Sequence, residues 1–253
     1  MIYNLMNCQK CNNVVSPDWK LCPFCGFEPK KCSNTECLPR WLPQEAKFCP
    51  ECGKMLVEKN IVLIPKAKEE NRNVSVGDIL CTDNTTVPSS AWPVAGKTAM
   101  GVVFYVDDSG KHGWAVHLQD QGECRWTPRG KESFVYSVHT CGTEKKALAD
   151  EDGCANTKAL RAAGNASVYP AAYAVDFGHG WYLPALGQLK KLYNLRERLN
   201  TSLLKVKGEE IEEDSYWSST QFGEYSAWRV YRNGTVYRID KTTNLRVRSV
   251  RAF

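Results

Sequence analysis

Eight of the twelve cysteines in this 253-residue chain fall within its first 52 residues, in four close pairs. Cys8-x2-Cys11 and Cys22-x2-Cys25 form one set; Cys32-x4-Cys37 and Cys49-x2-Cys52 form a second. Two of the pairs read "CPFCG" and "CPECG", where a glycine lets the backbone turn tightly enough for amides to face the sulfurs. Four thiolates so spaced can meet around a tetrahedral ion at about 2.3 Å. Binding then supplies about 10 kcal/mol or more to a segment with few apolar residues of its own. The expectation is two structural Zn²⁺ ions on Cys8, Cys11, Cys22, Cys25, Cys32, Cys37, Cys49 and Cys52, which also implies reducing surroundings. Disulfides or an iron–sulfur site are the alternatives these cysteines allow, and the ligands can pair within each set or interleave.

A second concentration of chemistry lies near the other end, in "SAWRVYRNGTVYRIDK", residues 226–241. Asn233-Gly234 between alternating runs is the strongest two-residue hairpin signal. A turn there pairs Arg232 with Thr235, Val230 with Tyr237 and Trp228 with Ile239. Trp228, Val230, Tyr237 and Ile239 then face a core, and Arg229, Tyr231, Val236, Arg238 and Asp240 face outward. Tyrosine and arginine on an exposed strand suit recognition: Tyr offers a large amphipathic contact at low entropic cost and Arg a planar fork of donors.

Strands and helices must position these groups. At 43% hydrophobic and 11% aromatic the chain is ordinarily globular. No run approaches about 18 apolar residues, and "MIYNLMNCQKC" has neither a basic start nor an apolar core. No membrane span or signal peptide is expected, and synthesis is read as cytoplasmic, with a phage particle or export as later destinations. The boundaries read as 1–57, a linker over 58–73 ("EKNIVLIPKAKEENRN"), and a body over 74–253. In the body, "VSVGDILCTDNTTV" and "AMGVVFYVDDSGKHGWAVHLQD" read as strands, the latter pair closing a hairpin at "DDSGKHG". Residues 127–155 have weak periodicity and read as an insertion. "CANTKALRAAG" and "YPAAYAV" read as short helices, and "LPALGQLKKLYNLRERLNTSLL" as the best helix in the chain. Strands, helices, then strands make the fold class α+β.

The first 57 residues resemble a double zinc ribbon with all eight ligands present. The body, at "GWYLPALGQL", "YWSST", Trp228 and the closing "VRSVRAF", resembles the C-type-lectin-fold domain of bacterial collagen-like and Bacteroides surface proteins. The same domain occurs in the variable proteins of diversity-generating retroelements. The resemblance implies a C-type lectin fold used as a scaffold, with a variable C-terminal region at about 221–246. In the diversified relatives a reverse transcriptase copies a template with errors at adenines, so Asn codons ending in a pyrimidine become many others. Such a codon never yields Trp, Lys, Glu, Gln or Met. Glu224, Trp228 and Lys241 are therefore expected as framework. The reachable candidates for a ligand-binding face are Tyr225, Ser226, Arg229, Tyr231, Arg232, Asn233, Thr235, Tyr237, Arg238, Asp240, Thr242, Thr243, Asn244 and Leu245.

Charge narrows the partner. Residues 215–253 hold seven Arg/Lys against two Asp/Glu, whereas 61–214 hold eighteen against twenty. A protein or other macromolecular ligand with acidic groups is favoured at the variable face. Residues 1–60 hold eight Lys/Arg against six Asp/Glu, and eight thiolates with two Zn²⁺ bring the formal charge there to about −2. That disfavours nucleic acid, whose binding rests on phosphate neutralisation, and favours a protein partner or self-association through the ribbons. No catalytic constellation is present: no cysteine follows Cys154, and His112, His117, His139 and His179 sit in no HExxH or nucleophile motif. A third metal site on His139, Cys141 and Cys154 is a minor alternative. The expected function is non-enzymatic ligand binding. The alternative is an invariant adaptor whose zinc ribbons carry the interaction.

Overall fold

The computed structural model describes residues 6–8, 13–15 and 73–253. The chain divides into two units, Met1–Arg72 and Asn73–Phe253. In the first, β1 (Met6–Asn7) pairs antiparallel with β2 (Val14–Val15), Met6 opposite Val15 and Asn7 opposite Val14. The Cys8 amide donates to the Asn13 carbonyl at 2.8 Å, and Cys8 and Val15 are buried. Cys11, Cys22, Cys25, Cys32, Cys37, Cys49 and Cys52 lie outside the described residues, as does the expected linker up to Arg72.

The second unit runs β3 (Ile79–Cys81), β4 (Thr86–Val87), β5 (Ala99–Val106), β6 (Gly113–His117), β7 (Glu123–Arg125), α1 (Glu144–Leu148), α2 (Gly153–Ala163), α3 (Pro170–Tyr173), α4 (Leu186–Asn194), α5 (Arg196–Lys205), β8 (Tyr216–Gln221), β9 (Ser226–Val230), β10 (Val236–Asp240), β11 (Asn244–Arg246) and β12 (Val250–Ala252). Strands, helices and strands in that order make it α+β. One sheet has the order β12-β6-β5-β3-β4, the other β10-β9-β8-β11-β7, and every pairing is antiparallel except β11 with β8. Among the described residues no helix is long and apolar enough to cross a membrane.

The second sheet is covered on both faces. One face gives Tyr216, Trp228, Val230 and Val236 to a core shared with Leu186, Leu189 and Leu192 of α4, Leu199 and Leu203 of α5, and Val102, Phe104 and Val116 of the first sheet. The other gives Trp217, Ala227 and Leu245 to a core shared with Trp126, Val135, Val138, Leu160, Ala171 and Ala172. Three buried indoles are satisfied by backbone carbonyls: Trp126 by Ser218 at 3.0 Å, Trp217 by Cys124 at 3.0 Å and Trp228 by Cys141 at 2.8 Å. Asp152 caps α2, its side chain accepting from the Ala155 amide, and the first helical residue is glycine because a Cβ there would lie 2.5 Å from the Ala185 amide nitrogen.

Two expectations need correction. The long helix is two, α4 and α5, separated at Leu195 (φ −104, ψ 4). α4 packs on β8, β9 and β5, and α5 on β5. The β9–β10 register is also shifted by one residue: Val230 faces Val236, Arg229 faces Tyr237, Trp228 faces Arg238 and Ser226 faces Asp240. A two-residue turn would need positive φ at both Asn233 and Gly234, yet only Gly234 has it, at 80°. Instead Tyr231 N–H donates to Thr235 O and Gly234 N–H to Tyr231 O, each at 2.7 Å, closing a three-residue loop over 232–234. Asn233 Oδ1 accepts from the Thr235 amide at 3.0 Å and its hydroxyl at 2.6 Å. From α4, Lys190 Nζ donates to Gly234 O and Tyr193 Oη to Arg232 O, both at 2.6 Å.

The shift buries Val236 instead of Tyr237, which stands 52% exposed. Gly234→Ala meets no atom closer than 3.6 Å, so its cost comes from the positive φ alone. Urea denaturation should register a loss of about 1–2 kcal/mol, and a smaller one for Gly234→Asn, which tolerates that conformation.

Candidate binding face

Alternation along β9 and β10 sets Ala227, Arg229 and Tyr231 on the same face as Thr235, Tyr237 and Ile239. Ala227 is buried, Arg229, Tyr231 and Ile239 are half-buried, and Thr235 and Tyr237 are exposed, so the accessible part of this face lies toward the loop. The Tyr231 and Tyr237 rings meet at 74° with centroids 6.3 Å apart. The Arg229 guanidinium lies 4.6 Å from the Tyr231 ring centroid, and that of Arg232 lies 5.3 Å from it. Arg229 Nη1 donates to Ser215 Oγ at 3.0 Å, while its buried Nε finds no acceptor among the described residues. Burial pulls the Arg229 pKa down from the ordinary guanidinium range, although it stays charged at neutral pH.

The face expected from sequence is thereby redrawn. Tyr237 joins it, whereas Arg238 and Asp240 stand on the opposite side with Trp228 and Val236. Arg238 covers the Phe222 ring at 4.2 Å, and Phe222 in turn meets Trp228 edge-on at 5.8 Å. Tyr225 sits 60% exposed at the tip between β8 and β9, its phenol pKa raised by neighbouring Glu224; Ser226 is half-buried beside it. Asp240 Oδ1 accepts from the Thr242 amide and hydroxyl at 2.8 and 2.7 Å, which holds its carboxyl below the usual range, and the Thr243 amide donates to Asp240 O. Asp240, Thr242 and Thr243 thus form the turn into β11, as Asn233 and Thr235 form that of the hairpin. Asn244 is exposed on β11. Leu245 is 8% exposed in the core beside Trp217 and is not part of the surface.

The expected framework residues divide. Trp228 and Lys241 are buried, while Glu224 is exposed. Lys241 is fully enclosed: its Nζ donates to Gln221 Oε1 at 2.8 Å and Ser133 O at 2.9 Å, and stands 4.3 Å from the Trp126 ring centroid. Gln221, which sequence reasoning passed over, also accepts from the Val135 amide at 3.2 Å and donates to the Val135 carbonyl at 3.3 Å. The one signal for it was a lone amide after the strand "YWSST".

The terminal arginines serve the frame. Arg246 pairs with Asp214 at 2.9 Å, and Arg248 Nη2 donates to Glu209 O at 2.6 Å, both in the acidic 209–214 segment. Arg251 turns instead to Asn84 Oδ1 at 2.9 Å. Among the described residues no three His, Cys, Asp or Glu side chains gather to hold a metal. His139 instead lies 3.3 Å from buried Asp150. Burial raises the thiol pKa values of Cys81, Cys124, Cys141 and Cys154, that of Cys124 to about 11, so all stay protonated at neutral pH. An open depression of about 590 Å³ lies against Val74–Val76 and Tyr105, but its cations are engaged: Lys191 by Glu151 at 2.6 Å, and Arg198 by the Val76 carbonyl at 2.8 Å.

No protein-family model matches the chain, and no curated protein matches it. Among solved structures it is similar to a fimbrial protein from Bacteroides ovatus, with a TM-score of 0.57 and 20% identity, covering 71% of this chain and 49% of that one. The likeness is one of fold, a β-rich architecture, and the chain spans about half the length of that protein.

Burial pulls the Lys241 pKa down to about 7. An unfolded chain keeps that proton to pH about 10.4. Between these values the unfolded state binds more protons, so stability rises with pH across the window, is lost as pH falls from about 10.4 towards 7, and is level below that. Lys241→Met should flatten this rise, read as the pH-dependence of Tm between pH 6 and 10 (roughly the titration window).

Proposed function

We propose that this chain is a non-enzymatic ligand-binding protein whose body is a C-type-lectin-fold scaffold and the target of a diversity-generating retroelement. The observation that carries this reading is the division of roles within one hairpin. Arg229, Tyr231 and Tyr237, all reachable by adenine mutagenesis, stand together on one sheet face, Tyr237 exposed and the other two half-buried, while the unreachable Trp228 and Lys241 are buried anchors. Variation at the first three changes a surface and leaves the packing intact. Glu224, exposed, and Ala227, Val230, Val236 and Leu245, reachable yet buried, depart from the rule.

The face suits a protein partner with acidic groups. Arg229, Arg232 and the two tyrosines supply donors and flat apolar area, and the strands fix the backbone before binding, so little ordering cost remains. The likeness to a fimbrial protein is taken as one of scaffold and lends this chain no role in fibre assembly.

The N-terminal segment is a double zinc ribbon that anchors the protein to a partner or to itself. The short β1–β2 hairpin, with Cys8 buried at its end and its amide bonded to Asn13 O, suits a zinc knuckle closed by Cys11.

Two experiments test this. Peptides selected from a random displayed library on the full chain serve as the probe for the face. The combined Arg229→Ala, Tyr231→Ala, Tyr237→Ala variant should lose affinity for them by about a hundredfold or more, with Tm falling by less than about 5 °C. Arg238→Ala, on the opposite side, should bind as before. A collapse in Tm would make the face part of the core. Elemental analysis of the purified chain should find two zinc ions, and one after Cys8→Ser; iron, or no metal, would refute the ribbon.

A further inference from the structure

Residues 128–136 lie outside the expected variable region, yet the structure fastens them onto the same sheet face. Tyr225, Ala227, Arg229 and Tyr231 alternate along one strand, and Thr235, Tyr237, Ile239 and Lys241 along its neighbour, with Lys241 N–H donating to Tyr225 O at 2.9 Å. Gln221, opposite Ala227, belongs to that face as well. At its far end Lys241 Nζ holds Ser133 O, and Gln221 holds both the amide and the carbonyl of Val135. Val135 and Val138 are buried there. The segment therefore caps one end of the face, and the Arg229–Tyr231–Tyr237 cluster occupies the other. Tyr237 and Lys241 are four residues apart on an extended strand, roughly 14 Å.

Two aromatic side chains flank the pinned Val135 on that cap. Tyr136 is 91% exposed and Phe134 39% exposed, and their rings meet edge-to-face with centroids 5.0 Å apart. Exposed aromatics paired with each other and set on a buried, hydrogen-bonded support are the residue types that anchor interfaces.

We propose that Phe134 and Tyr136 form a constant half of the docking surface whose variable half is Arg229, Tyr231 and Tyr237. This rests on the reading of the face given above. The two residues that pin the segment, Gln221 and Lys241, are both of types that adenine mutagenesis of an Asn codon cannot produce. The constant half thus stays in place whatever the variable half becomes. The partner it fits is a polypeptide surface that combines an apolar patch, to meet the aromatic pair, with acidic groups for Arg229 and Arg232. The constant half gives each variant a share of apolar contact that it need not evolve.

The peptides selected on the full chain test this directly. Phe134→Ser with Tyr136→Ser should lower their affinity by about tenfold or more without moving Tm, as should Arg229→Ala with Tyr237→Ala. If the double serine variant lowers Tm, Tyr136→Ser alone, at a side chain almost wholly in solvent, gives the reading. Peptides that lose affinity only on the Arg229/Tyr237 variant would overturn the constant half and leave the face standing. Peptides indifferent to both variants, or no selectable peptide, would overturn the face itself. Peptides sensitive only to the serine variants would also refute a shared surface.

Discussion

The buried Lys241 side-chain nitrogen is the point on which the surrounding structure depends. A lysine with no solvent exposure must find acceptors, and here it finds three: the Gln221 amide oxygen, the Ser133 carbonyl and the face of Trp126. Each belongs to a different part of the chain. Gln221 ends β8, Lys241 follows β10, and Ser133 lies in the segment that would otherwise be an unsupported loop. One side chain thereby joins the edge of the sheet to the cap across it. Burial works against its charge, and the carboxylates of Glu224 and Glu132 work for it.

The hairpin carries the second constraint. A one-residue shift between β9 and β10 exchanges everything on β10 between core and surface. The shift is set by Gly234, which alone takes a positive φ, and by two α4 side chains that hold the carbonyls of the loop. The composition of the displayed face therefore depends on a helix some forty residues upstream: Lys190 and Tyr193 fix the loop, the loop fixes the register, and the register brings Tyr237 beside Tyr231.

Much of this was legible in the chain. Alternation in "AMGVVFYV" and "SAWRV", and leucine spacing over 186–203, mark the strands and helices that form, and their order gives the α+β class. The register was not legible, because Asn-Gly serves both a two-residue turn and the last positions of a three-residue loop; tertiary bonds from α4 decide between them. The helix break at Leu195 escaped because no proline or glycine marks it. The cap over 128–136 looked like an insertion because its order comes from long-range bonds to Gln221 and Lys241, which leave no local period. Leu245 was misplaced by a codon argument that is blind to burial.

The central claim is that one hairpin divides into a changeable face and a fixed frame. It is tested most directly by sequencing the DNA around this reading frame for a near-copy of the codons for residues 218–253, beside a reverse-transcriptase frame. The account predicts such a copy, differing opposite adenines at the codons for Arg229, Tyr231 and Tyr237 and identical at those for Gln221, Trp228 and Lys241. Differences at the buried anchors, or the absence of any copy, would contradict it.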